Sequence, residues 1–355
     1  MGGGASKGKK KGPVLSPVGV SAQFLQSFVS EHGPRLQGKT TADVVAEVIH
    51  PMTAEIGGCS MVDFLQKVQH KHSSTGEAGW LVIHSHSDKF LSLCDSLLAF
   101  CAQQGIALES TILWIDAFCL AQRQESNSLS ASWLTTYSKF LAGIRQALVV
   151  WSPILQPAVL SRAWCLLELF IIRKSNGHIE LVMSDEKSKQ FWDTFKKNPG
   201  DCRKPVESFS FEKNARTSVE NDRVVICDFL RAKAGGATDE ACAAEVDKIL
   251  RFAFDDWAVD SLEKRIAAKE AAAGAGDDAA AASVVGWKGV LGRYYQILGD
   301  ASKAKFLLER SLSMKVKLKD RKTLDAKRAN SAKKGTSKPG GGGGLMTRML
   351  SFRSK

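Results

Sequence analysis

The chain has 355 residues, 44% of them hydrophobic, which suffices for a packed core and two or three units of ordinary size and excludes global disorder. Its formal net charge of +12 belongs to its ends. Lys7, Lys9, Lys10 and Lys11 give the first twelve residues +4; thirteen Lys/Arg against Asp320 and Asp325 give residues 314–355 +11, so the middle holds −3. Basic tails suit anionic surfaces. No apolar run of 18 residues is present, which excludes a spanning helix, and no secretory signal is visible. The eight cysteines are scattered without C-x-x-C pairs, which argues against a zinc ribbon or disulfide framework and fits a reducing cytosol.

The leader Met1-Gly2-Gly3-Gly4-Ala5-Ser6 satisfies the M-G-x-x-x-[ST] pattern, which marks Gly2 for N-myristoylation. One acyl chain holds a membrane only marginally, and the adjoining Lys cluster is the second signal that makes an anchor. The competing reading of residues 1–19 is a plain Gly/Lys leader, disordered by composition. Residues 20–75 read as helical: apolar spacing over 22–29, a Thr-capped run from Thr41 that stops before Pro51, and a short helix over 60–70.

Residues 76–212 alternate strand and helix. Strands are predicted over 80–84, 111–116, 147–151 and 179–183. Helices are predicted over 89–104, 132–146, 159–174 and 186–197, with a polar loop over 122–130. Short apolar strands separated by helices indicate a parallel sheet covered on both faces. Residues 213–270 are predicted helical with a break near Gly235-Gly236, and 271–283 form an Ala/Gly/Asp-rich linker. Within 284–318 the small and large residues from Leu291 to Leu312 keep the register of one tetratricopeptide-type helix pair, a unit that needs neighbours or a partner. Residues 319–355 are a basic tail expected to be disordered.

Chemistry centres on the run Ser161-Arg162-Ala163-Trp164-Cys165-Leu166-Leu167-Glu168-Leu169, where one carboxylate lies among apolar residues. Such a group is costly to bury unless it is paired or used. Trp164 and Cys165 precede Glu168 by four and three positions and share its helical face. In a parallel α/β sheet function gathers at the carboxyl ends of the strands, here Ser85, His86, Asp116 and Ser152. Each candidate has a structural counterpart. Glu168 would instead pair with Arg162 or Arg173, Asp116 would cap the next turn, and Trp164 would belong to the core. His84 and His86 have H-x-H spacing, which puts two imidazoles on one strand face, but no third ligand is evident and no metal is expected. No Walker lysine or strand-linked G-x-G-x-x-G appears, which argues against nucleoside triphosphate hydrolysis.

The segments Leu148-Val149-Val150-Trp151-Ser152 and Arg162-Ala163-Trp164-Cys165-Leu166-Leu167-Glu168-Leu169 resemble the third strand and following helix of a Toll/interleukin-1 receptor (TIR) domain. Val82-Ile83-His84-Ser85-His86-Ser87-Asp88 resembles the first strand and its turn. Residues 114–122 are similar to a divergent TIR-like subgroup of unicellular eukaryotes that often carries tetratricopeptide repeats of the kinesin-light-chain type. The resemblance covers roughly residues 78–200 plus the single helix pair. It implies a flavodoxin-like α/β fold with helices on both faces, flanked by helical segments. It further implies NAD⁺ as substrate, cleaved at the nicotinamide–ribose bond, with Glu168 as the essential carboxylate and Ser85, His86, Asp116 and Trp164 as cofactor contacts. The expected partners are a second copy through the TIR-like domain, a protein through the helix pair, and an anionic membrane through the lipid and basic tails; nucleic acid is not expected. The expected location is cytoplasmic and membrane-anchored. The alternative is a non-catalytic, self-associating scaffold.

Overall fold

The computed structural model describes residues 15–54, 56–68, 72–121, 130–235, 238–272 and 277–335. Gly2, the leader lysines, most of the 122–130 loop and residues 336–355 lie outside them. Six strands form one mixed sheet: β1 Val18–Ser21, β2 Thr75–Glu77, β3 Trp80–Ile83, β4 Ile112–Trp114, β5 Gln146–Val150 and β6 His178–Val182, ordered β2-β1-β4-β3-β5-β6. The last four strands in the chain are the four predicted from apolar runs, and they pair in parallel as β4-β3-β5-β6. Leu81 faces Ala147 and Ile83 faces Val149, while Val149 faces Leu181. Helices cover these strands, which is why they carry near-continuous apolar residues rather than alternation.

β1 and β2 correct the expectation of a wholly parallel sheet and of a wholly helical 20–75 segment. β1 runs antiparallel to both β2 and β4. At three and four residues, neither is long enough to show a period of two. A Cβ on Gly19 would lie 2.3 Å from the Leu113 carbonyl oxygen, so the close approach of β1 to β4 requires glycine there.

Local signals set the helix ends. Ser21 caps Ala22–Leu36 by accepting from the Phe24 N–H at 3.1 Å. Phe90–Gln104 stops at Gly105, whose φ of 65° is the left-handed C-terminal conformation. Ser130 caps Ala131–Ile144 through the Trp133 N–H. The single helix predicted over 159–174 is broken. A 3-10 turn, Ala158–Ser161, precedes Ala163–Lys174, and Arg162 between them is extended. The break follows from a bridge to Arg216: the Ala163 N–H donates to the Arg216 carbonyl at 2.9 Å, and the Arg216 N–H to the Ser161 carbonyl at 2.8 Å.

The C-terminal third is helical: Glu220–Lys233, Asp239–Ala272, Asp278–Ile297 and Ala301–Gly335. The last two form the predicted hairpin, reversed through Gly299 at φ 80°; a Cβ on Gly292 would meet Leu308 at 2.8 Å. Its second helix continues to Gly335, so residues 319–335, expected as tail, extend the hairpin. Their Lys-, Arg- and Ala-rich composition has high intrinsic helix propensity. Within the expected linker, Asp277 caps the next helix through the Ala279 and Ala280 N–H groups. Asp239–Ala272 and Asp278–Ile297 pack on the helix Asp185–Lys197, with Phe254, Trp257 and Tyr294 against Phe191, Trp192 and Phe195. A buried clasp ties Asp239–Ala272 and Asp278–Ile297 to the helix Pro199–Glu207: Asp255 accepts from Arg203 Nε at 2.9 Å and Nη2 at 3.0 Å, and from the Tyr294 hydroxyl at 2.6 Å. No helix among the described residues is long and apolar enough to cross a membrane.

Candidate functional site

Because β4, β3 and β5 are parallel neighbours, the residues after them meet at one edge of the sheet. β3 delivers His84, Ser85 and His86. β4 delivers Asp116, the first residue of the short helix Asp116–Cys119. After β5 the chain descends through the helix Ala163–Lys174, which carries Glu168.

Glu168 is part-buried, and its Oε1 accepts a 2.6 Å hydrogen bond from the Tyr137 hydroxyl. This corrects both expected pairings. Arg173 is bound to Asp256, and Arg162 donates to the Ser218 hydroxyl at 3.1 Å. Burial pushes the Glu168 carboxyl up to about 8. The Tyr137 hydrogen bond pulls the other way, the Asp116 charge adds to the rise, and the His86 charge opposes it. Glu168 and the two strand ends therefore lie within electrostatic reach of one another.

Asp116 bonds the backbone of the turn that follows it and also meets His86. Its Oδ1 accepts from the Ala117 N–H at 2.7 Å, while its Oδ2 lies 2.9 Å from His86 Nε2. Burial opposes its charge, but the nearby His86 and His84 and the two hydrogen bonds outweigh that, and its proton affinity falls. The Asp116 charge raises that of His86, against the cost of burial. His84 behaves oppositely: burial pushes it down to about 4, more than the Asp116 charge can offset. The two imidazoles stack at 5.2 Å between centroids, and His84 Nε2 stands 3.7 Å from Asp116 Oδ1. Asp116 is thus the third donor that spacing along the chain did not reveal. One donor atom from each of His84, His86 and Asp116 lies within 4.8 Å of the other two, so these three residues have the makings of a metal site.

The other two expected contacts have structural work. Ser85 is fully buried, and its hydroxyl lies 2.8 Å from that of Ser87. Trp164 is part-buried, edge-on to Trp133 and Tyr137, and its indole N–H donates to Asp222 at 3.3 Å. Its role is to wall Tyr137, which itself stacks on Trp133 at 4.9 Å. Cys165 is buried and its thiol donates to the His84 carbonyl at 3.2 Å. Burial pushes that thiol well above its ordinary range, which disfavours the thiolate. Tyr137 was missed in the sequence. Its only signal is its place on the buried stripe Leu134, Tyr137, Ser138, Leu141, where a phenol requires a polar partner.

Taken together, the edge offers a positioned carboxyl, a histidine–aspartate pair and a second, deeply buried histidine. No protein family, curated protein or solved structure matches this chain.

Proposed function

We propose that the chain is a TIR-like NAD⁺ glycohydrolase of a membrane-tethered signalling protein, with Glu168 as the working carboxylate. The observation that carries this reading is the Glu168 carboxyl held by Tyr137 at the carboxyl edge of the parallel strands. The strand order supports it: in chain order the parallel strands lie second-first-third-fourth, as in a flavodoxin-like sheet, whose ligands bind at the carboxyl edge where the order reverses.

The chemistry suits such a group. Cleavage releases nicotinamide as a neutral base, so no strong acid is needed; the barrier lies in the oxocarbenium-like ribose. A carboxylate set beside that carbon by a fixed hydrogen bond stabilises the developing charge. The nicotinamide ring of the substrate is cationic, and its arrival favours the ionised form of Glu168 over the protonated one that burial favours in the free site. As water adds to the ribosyl carbon, Glu168 takes its proton, a transfer matched to a group titrating near the working pH. The sum is NAD⁺ plus water to nicotinamide, ADP-ribose and a proton.

The test is nicotinamide release from NAD⁺ by the purified full-length protein, with Glu168→Gln as the variant that keeps the Tyr137 hydrogen bond. Release by the wild type and none by Glu168→Gln is expected; no release, or equal release, overturns the reading. The tether rests on Gly2, and a Gly2→Ala variant is expected to leave the membrane fraction. A scaffold is the second reading, favoured by one observation: Phe306, Leu312, Val316 and Leu324 are half or more exposed along the last helix.

A further inference from the structure

His84 presents a problem that its neighbours do not solve. Its side chain is 1% exposed, and its Nε2 has no hydrogen-bond partner. The ring is hydrogen-bonded to the Val82 backbone instead, in the orientation that leaves Nε2 as the nitrogen turned toward the carboxylate. With the proton held on the other nitrogen, Nε2 carries a lone pair, and it faces Asp116 Oδ1 at 3.7 Å. Two acceptors confront one another, the histidine nitrogen buried and the carboxylate oxygen also accepting from the Ala117 N–H. That arrangement is unfavourable unless a positive charge lies between them.

The surroundings specify the charge. His86 Nε2 approaches the other Asp116 oxygen at 2.9 Å, and the three residues keep their donor atoms within 4.8 Å of one another. Nitrogen and oxygen ligands about 2.0–2.2 Å from a tetrahedral zinc ion stand about 3.3–3.6 Å apart. The histidine–carboxylate separations, 2.9 Å from His86 to Asp116 Oδ2 and 3.7 Å from His84 to Oδ1, straddle that range. A ring nitrogen committed to a backbone carbonyl is the usual outer support of a metal-bound histidine, because it fixes the tautomer and the ring plane. His84 is sealed in, whereas His86 and Asp116 are 29% and 35% exposed, so a fourth position would open toward solvent.

We propose that His84, His86 and Asp116 bind one divalent first-row transition-metal ion of the zinc class, with an open coordination position on the exposed side of His86 and Asp116. The donor set of two imidazoles and one carboxylate suits zinc, cobalt or iron better than calcium or magnesium, which favour oxygen alone. The site stands apart from the glycohydrolase reading. It shares His86 and Asp116 with the expected NAD⁺ contacts but does not use Glu168, and its binding is read without turnover.

The experiment uses full-length protein stripped of metal and dialysed against Zn²⁺ or, separately, Co²⁺. One equivalent of zinc is expected by elemental analysis. The cobalt form is expected to show the visible bands of low-coordinate cobalt without the near-ultraviolet band of a thiolate ligand, which separates this site from the eight cysteines. His84→Gln and Asp116→Asn are expected to weaken zinc binding at least tenfold, with folding checked by circular dichroism. If His84→Gln fails to fold, His86→Gln, at the accessible side, serves in its place with the same expected loss. No bound metal, undiminished binding in the folded variants, or a thiolate spectrum overturns the proposal.

Discussion

The bond between Tyr137 and Glu168 is the point at which the site is most exposed to test. Tyr137→Phe removes one oxygen and little else, since the ring stays between Trp133 and Trp164. The hydroxyl lies 2.6 Å from the carboxyl and favours its ionised form. Hydrogen bonds to charged groups are worth ~1.5–3 kcal/mol. At about 1.36 kcal/mol per pH unit, losing one raises the proton affinity of Glu168 by about 1–2 pH units. If NAD⁺ cleavage requires the ionised form in the free enzyme, kcat/KM rises with pH through the Glu168 titration, at about 8 in the wild type. The variant's ascending limb is therefore expected to move upward by about 1–2 pH units, with a plateau at high pH that retains most of the activity. The assay is nicotinamide release under subsaturating NAD⁺ from pH 6 to pH 10. A limb that stays in place or moves downward would refute the assignment of that titration to Glu168 and the role given to Tyr137.

Three further outcomes follow from other contacts. The Glu168 proton is held more tightly in the folded chain than at its ordinary 4.5, so its contribution to stability is full below pH 4.5 and is lost as pH rises toward about 8. Glu168→Gln has no such charge, and its melting temperature is expected to exceed that of the wild type increasingly from pH 5 to pH 8; a constant gap would refute this. Asp255→Ala leaves the Arg203 guanidinium and the Tyr294 hydroxyl buried without their partner, and is expected to lose ~3–5 kcal/mol in chemical denaturation. A loss below about 1 kcal/mol would show that the clasp is not holding the hairpin. Gly19→Ala drives a Cβ against the Leu113 carbonyl and is expected to cost more than ~2 kcal/mol, with earliest hydrogen exchange along β1; full retention of stability would refute the close approach.

What was legible in the sequence follows the physics of each signal. The four parallel strands read as near-continuous apolar runs, and their expected bounds agree with the observed ones to within two residues. β1 and β2 were invisible because an edge ribbon of three or four residues is specified by pairing with β4, a contact far away in sequence. Gly105 announced the end of its helix, since only that residue takes a left-handed φ without strain. The break at Arg162 did not announce itself, because a bridge to Arg216, not a local breaker, makes it. Glu168 stood out as an acid among apolar residues, but its partner did not: Tyr137 lies on another helix, and a tyrosine on an amphipathic stripe looks like any core aromatic.

The same limit hides the neighbour of the strand-end histidines from the sequence. H-x-H spacing puts two rings together by local geometry alone, whereas Asp116 joins them only because β4 pairs beside β3 in parallel. Once that pairing exists, each of the three charged or chargeable groups alters the next. Asp116 raises the proton affinity of Glu168 while His86 lowers it, and His84 is kept neutral by burial. A helix that contributes only Glu168 to the edge also fixes two of its neighbours, since Cys165 grips the His84 carbonyl and Trp164 walls Tyr137. The apolar character of that helix is therefore part of the site. It supplies the dry surface that pushes the Glu168 proton toward neutral pH and the packing that keeps the histidine end of β3 in place. An acid in a polar helix at the same position would be ionised throughout the physiological range and would have no proton to exchange there.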